Sequence, residues 1–149
     1  MPGSWGEVIH GDYASIVRQS GMDAVTQYEL WKAVWSSLKD GNFFELDWCL
    51  KRHNDLMRTF VPLTFIGNHD VTRIASMVGS ELAALGATIL LTVGGVPSVY
   101  YGDEQALRGT KRKGLGGDDA VRPTFPAFPA WMTAEGERTY RLYHDLIDL

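Results

Sequence analysis

The chain has a single cysteine, Cys49, among 149 residues. One thiol excludes an internal disulfide and a cysteine-built metal site. In an apolar setting it reads as a buried, inert side chain. Long hydrophobic runs are also missing: no stretch reaches the roughly 18 apolar residues of a membrane span. The opening segment, MPGSWGEVIHGDY, has neither a charged leader nor a long apolar run, so it does not read as a signal peptide. With the lone cysteine, this leans the expectation toward a cytoplasmic protein. An excess of positive charge is lacking too. Lys and Arg number 14 against 18 Asp and Glu, a net charge of -4, which argues against nucleic acid as a partner. The cluster Lys111, Arg112, Lys113 is too short for a polyanion patch and reads as a solvated loop.

Apolar residues are not scarce. They make up 45% of the chain, enough for the core of one ordinary domain, taken as residues 1–149. Residues 4–10 read as a short strand and 13–20 as a short helix stopped by Gly21. β-Branched and aromatic residues predict a strand over 23–30. Helical composition follows to Gly41. From 43 to 60, Leu46, Cys49, Leu50, His53, Leu56, Met57 and Phe60 trace the stripe of an amphipathic helix. Pro62 forbids its continuation, and PLTFIG (62–67) reads as a buried parallel strand. Ser80 is placed as the N-cap of a helix over 81–93, and 96–102 as another strand. A loop rich in Gly, Pro and charge spans 103–130, and 136–149 closes the chain as a helix.

Strands alternating with helices imply a parallel sheet with right-handed crossovers. Four such units amount to half of a (β/α)8 barrel, which takes about 250 residues. Chemistry-bearing groups fall at strand ends: Glu7 after the first, Asn68, His69 and Asp70 after the third, and Tyr101 to Glu104 after the fourth. Ligands bind at that face of parallel α/β folds.

FIGNHD (65–70) is the most informative string. Its GNHD portion resembles a metallophosphoesterase motif in which Asn and His hold two metals. That family also needs an Asp-x-His and a Gly-His-x-His, and neither occurs here. The four histidines, His10, His53, His69 and His144, do not readily supply a metal shell. FIGNHD also resembles the fourth signature of the α-amylase superfamily, glycoside hydrolase family 13. GEVIHGDY resembles its third signature, and GGVPSVYYGDE the segment around its eighth strand. The three motifs occur in the family's order.

The resemblance implies an α/β fold of partial (β/α)8 TIM-barrel type, approximately strands five to eight with their helices. It implies a retaining hydrolase or transglycosylase acting on α-glucosidic bonds, with a glucan or oligosaccharide as substrate and neither nucleic acid nor membrane as partner. Glu7 would be the proton donor. Asp70 would be the further carboxylate that stabilises the transition state, and His69 would hydrogen-bond the same sugar. His10 would line the leaving-group side, while Asp118 and Arg122 would shape the donor side of the cleft. Asn68 reads as a turn residue, and Arg73 as the partner of a carboxylate. Most of Trp5, Tyr13, Trp31, Trp35, Tyr100 and Tyr101 are expected in the core, with sugar-stacking platforms among them. No metal and no cofactor are expected, since the family's structural calcium ligands lie mostly upstream.

One departure matters. The family's nucleophile sits in a Gly-x-Arg-x-Asp signature that precedes the proton donor, and the chain has no such string. The chain is therefore expected to be the C-terminal part of a larger barrel, inactive alone and prone to self-association through open strand edges. A non-catalytic remnant of such a barrel is the other expectation.

Overall fold

A computed structural model of the chain describes residues 3–124 and 132–149. The end of the long loop, 125–130, therefore lies outside the described residues. The chain divides into two compact units, one of Met1–Phe65 with Thr92–Ser98, the other of Ile66–Leu91 with Val99–Leu149.

The first unit carries all the strands among the described residues: β1 (Trp5–Gly6), β2 (Ala24–Val25), β3 (Leu63–Phe65) and β4 (Val96–Ser98). β1 pairs parallel with β2, placing Trp5 opposite Ala24. A parallel bridge joins Thr26 to Leu63, and β3 pairs parallel with β4, Leu63 opposite Val96. Each strand thus runs parallel to the next one in sequence, as consecutive barrel strands do. The strands are much shorter than the pattern predicts. Pro97 has no N–H to donate inside β4, which suits an edge position.

Three helices belong to this unit. In α1 (Tyr13–Ser20), Asp12 Oδ1 caps the N-terminus by accepting from Ser15 N at 3.0 Å. Gly21 ends the helix in the left-handed region, φ 72°. α2 spans Tyr28–Asp40 and α3 spans Phe44–Leu56. The strand expected over 23–30 is therefore cut short, because Tyr28 already begins α2. Packing overrides the β preference there: the Tyr28 ring meets Phe65 edge-on at 4.8 Å. α2 buries Leu30, Ala33, Val34 and Leu38, and α3 buries Leu46, Cys49 and His53. A further cluster joins Tyr13, Ala24, Val25 and Phe60.

The second unit holds α4 (Ile74–Val78), α5 (from Ser80, ending at Thr92 of the first unit) and α6 (Ala134–Ile147). Two single 3-10 turns lie at Asp103–Gln105 and Asp119–Val121. α4 is unanticipated, since five residues closed by Gly79 leave too short a pattern to read. Ser80 is not a cap residue ahead of its helix. It is the first residue of α5, and its hydroxyl donates to Glu135 Oε1 of α6. Thr133 caps α6, accepting from Gly136 N at 3.0 Å. α6 packs on the 103–105 turn, where Tyr143, Thr139 and Asp103 are buried.

Candidate active site

β3 delivers the chain to Gly67, where the polar string begins. Asn68 Oδ1 accepts from the Asp70 backbone N–H at 2.9 Å, the Asx turn expected of it. This turn fixes the backbone that carries His69 and Asp70. Asp70 does not cap the following helix: the residue before α4 is Arg73, with no side-chain cap.

Asp70 is instead held by Arg122. Arg122 Nη2 donates to Asp70 Oδ1 at 2.7 Å and to Asp118 Oδ2 at 3.1 Å, while its Nε donates to the His69 carbonyl at 3.0 Å. His69 Nε2 lies 3.4 Å from Asp70 Oδ2, and Lys111 Nζ lies 3.3 Å from Asp118 Oδ1. Four sequence-predicted residues, His69, Asp70, Asp118 and Arg122, therefore form one partly exposed cluster. Such a cluster can hold polar hydroxyl groups and stabilise positive charge.

The same unit holds a buried ion pair. Arg73 and Asp103 have side chains 0% and 1% exposed and meet at 3.0 Å. Arg73 Nη1 also donates to the Tyr101 carbonyl at 2.9 Å. Its guanidinium lies 4.6 Å from the Tyr100 ring centroid and 5.1 Å from that of Tyr101, within cation–π range. The two tyrosines reach onward, Tyr100 Oη to the Val121 carbonyl at 3.1 Å and Tyr101 Oη to the Pro123 carbonyl at 2.7 Å. Those carbonyls flank Arg122. The sequence marks Arg73 as a carboxylate's partner, but its place under the tyrosines requires the fold. Burial pushes the Asp103 carboxyl upward, and the Arg73 charge opposes that rise. Gly67 is required here, because a Cβ would collide with the Asp103 carboxylate.

Glu7 lies in the first unit, one residue past β1. Its Oε1 accepts from the Tyr28 hydroxyl at 2.6 Å. Glu7 is exposed, and the nearby Trp5 is 46% exposed. His10, three residues on, is exposed as well.

The other two histidines have structural partners. His53 is buried, its Nε2 lying 2.7 Å from the Gly94 carbonyl, and His144 lies beside Asp145 and Asp148 on α6. The metal-centre reading of GNHD therefore loses both as ligands.

One residue escaped the sequence reading. Trp48 stands off the buried face of α3 and is 58% exposed, with the Arg52 guanidinium 4.8 Å over its ring. A tryptophan off the apolar stripe is the signal that marks it.

The fold alone defines an α/β protein of partial (β/α)8-barrel type. An alpha-amylase from H. orenii superposes with a TM-score of 0.74 at 22% identity, over 97% of this chain and 36% of that one. The cyclic alpha-maltosyl-(1-->6)-maltose hydrolase of Arthrobacter globiformis, solved with maltose, superposes with a TM-score of 0.75 at 21% identity, over 97% and 32%. The sequence then names the family. The profile of the alpha amylase catalytic domain matches residues 5–139, and the chain belongs to that family. A cyclomaltodextrin glucanotransferase from Niallia circulans is 31% identical over 127 residues, 83% of this chain and 17% of that protein. A 4-alpha-glucanotransferase from Thermotoga neapolitana is 41% identical over 59 residues, 38% of this chain and 13% of that protein. The chain thus spans under a fifth of the length of these relatives.

Proposed function

We propose that the chain forms part of an α-glucan-processing enzyme, supplying approximately strands five to eight of a retaining glycosidase or transglycosylase barrel. The Arg122–Asp70–His69 cluster carries this reading. A carboxylate clamped by an arginine, beside an imidazole and directly after a barrel strand, is suited to gripping a sugar ring. Retaining chemistry uses a nucleophile and an acid/base. Glu7 is assigned the acid/base role: it protonates the leaving oxygen, then takes the proton from the incoming water or sugar hydroxyl. Asp70 binds ring hydroxyls and gains strength as the anomeric carbon becomes cationic. His69 donates to the same sugar, Asp118 and Arg122 border the donor side, and His10 borders the leaving-group side. The nucleophile is assigned to a Gly-x-Arg-x-Asp segment of the complete barrel. No step calls for a metal or cofactor.

The test is Glu7→Gln in a barrel that carries that segment. Turnover of maltooligosaccharides should fall roughly 10²–10⁴-fold, the usual worth of a general acid. An activated glycosyl fluoride, whose leaving group needs little protonation, should lose much less. Equal and mild losses on both substrates would remove Glu7 from the role.

A further inference from the structure

The Arg122 side chain is 44% exposed, yet it makes three directed contacts, to Asp70, Asp118 and the His69 carbonyl. Exposed ion pairs are worth little, because long side chains lose rotamer freedom in making them. A clamp built on such a residue gains when its backbone is already held still. The residues on either side of Arg122 are held in that way. Tyr100 Oη donates to the Val121 carbonyl at 3.1 Å, and Tyr101 Oη donates to the Pro123 carbonyl at 2.7 Å. The two hydroxyls grip the chain one residue before Arg122 and one residue after it.

The tyrosines are fixed in turn. Their rings meet edge to face, with centroids 4.7 Å apart. The Arg73 guanidinium lies 4.6 Å from one centroid and 5.1 Å from the other. That guanidinium is buried, pairs with Asp103 and donates to the Tyr101 carbonyl. Each ring thus has a charged and an aromatic neighbour, which suits an anchor better than a sugar-stacking platform. Burial, first among the causes, raises the Tyr100 hydroxyl above its usual range, so it remains a donor at neutral pH.

The chain ahead of Arg122 is fastened to the segment that follows Asp70. Lys111 N donates to Thr72 Oγ1 at 3.0 Å, and Gly109 N donates to Ser76 Oγ at 2.8 Å. The Gly109 carbonyl accepts from Arg73 N at 3.0 Å. The Ala120 carbonyl packs so close to Gly109 that a Cβ there would collide with it. Arg73 therefore supports the Arg122 segment twice, through its side chain under the tyrosines and through its backbone at Gly109.

We propose that Tyr100 and Tyr101 are positioning residues for the glucan reaction: mounted on the Arg73–Asp103 pair, they hold the Arg122 backbone so that its guanidinium presents Asp70 to the sugar. The proposal rests on the reading of Asp70 as the carboxylate that grips the sugar. The tyrosines act through Arg122 and not on the substrate. Their loss should therefore appear in kcat, where Asp70 works, and leave KM nearly unchanged.

A double-mutant cycle tests this in a complete barrel that carries the nucleophile segment, with maltohexaose as substrate. Tyr100→Phe with Tyr101→Phe removes both hydroxyls and keeps both rings beside Arg73. It should lower kcat about tenfold, the low end of what two hydrogen bonds of ordinary net strength are worth, with KM within about twofold. In an Arg122→Ala background the same pair of changes should cost less than about twofold, because no guanidinium is left to aim. A purely structural role would instead lower the urea midpoint and cost the same factor in both backgrounds. Should the paired variant lose its circular dichroism spectrum, Tyr101→Phe alone, at a partly exposed ring, carries the same comparison. Equal losses in the two backgrounds, or full activity of the paired variant, would overturn the proposal and leave the Asp70 assignment standing. If Arg122→Ala and Asp70→Asn both keep full kcat, the sugar-gripping reading fails and the proposal falls with it.

Discussion

Arg122 holds Asp70 and Asp118 through a single nitrogen, Nη2, at 2.7 and 3.1 Å. Its Nε takes the His69 carbonyl at 3.0 Å. The carboxylate assigned to the sugar and the residue beside it are thus positioned by one guanidinium. A lysine ammonium carries its three donors on one nitrogen and cannot reproduce contacts spread over Nε and Nη2. In a complete barrel, Arg122→Lys should therefore behave nearly as badly as Arg122→Ala. A lysine variant with full kcat/KM would show that the clamp is dispensable.

Asp70→Asn keeps the shape and loses the charge. If Asp70 acts mainly in the transition state, kcat should fall roughly 10²–10³-fold while KM changes little. Steady-state kinetics on a maltooligosaccharide separates the two. A variant with unchanged kcat would place Asp70 outside the chemistry.

The buried pair of Arg73 and Asp103 carries a stability prediction. Asp103→Ala leaves the Arg73 cation without its counter-charge in a fully buried site. The expected cost is about 3–5 kcal/mol. Urea unfolding should show it as a lower midpoint. The double variant Arg73→Met with Asp103→Leu should recover part of the loss, because it removes both charges together. A double variant worse than Asp103→Ala would mean that the tyrosine stacking, rather than the charge pairing, dominates.

The first unit should lose stability in alkali. Burial, first among the causes, raises Tyr13 to about 12 from 10.0 and Cys49 to about 11 from 9.0. Both groups hold their protons more tightly folded than unfolded. Their contribution is complete below the unfolded values and drains away as pH climbs through 11 and 12. Thermal melts between pH 8 and 11 should show the decline, and Tyr13→Phe should reduce it. Cys49 should also resist iodoacetamide at pH 8 until the protein is unfolded, since the thiolate is the reactive form. Rapid native alkylation would contradict the burial of Cys49.

The 149-residue chain alone should not hydrolyse a chromogenic maltoside, because it has no Gly-x-Arg-x-Asp nucleophile string. It should also self-associate: among the described residues β1 and β4 each pair on one side only. Sizing chromatography and the maltoside assay check both points together. A monomer with enzyme-like turnover would place the nucleophile elsewhere in the chain.

Much of this was legible in the residues. Helix α1 falls on its expected span because Asp12 caps its start and Gly21 stops it, local signals that need no tertiary help. The grouping of His69, Asp70, Asp118 and Arg122 followed from family motifs, although Asp118 lies 48 positions after Asp70. Strand lengths were overread, since an apolar run does not reveal how many residues find a hydrogen-bonding neighbour. Tyr28 illustrates the limit: its β preference is real, but its packing on Phe65 and its bond to Glu7 place it in a helix. The Arg73 stack under Tyr100 and Tyr101 was illegible for a related reason, because it joins residues that only the folded chain brings together.

The strand order has a consequence for biosynthesis. β1 pairs with β2, the chain after β2 bridges to β3, and β3 pairs with β4. Among the described residues, no pairing skips a strand. Each newly emerged strand therefore finds its partner already outside the ribosome, and the sheet can lengthen in the direction of translation without waiting for the C-terminus. Slowing synthesis after β3 should leave a nascent chain whose first three strands are already engaged.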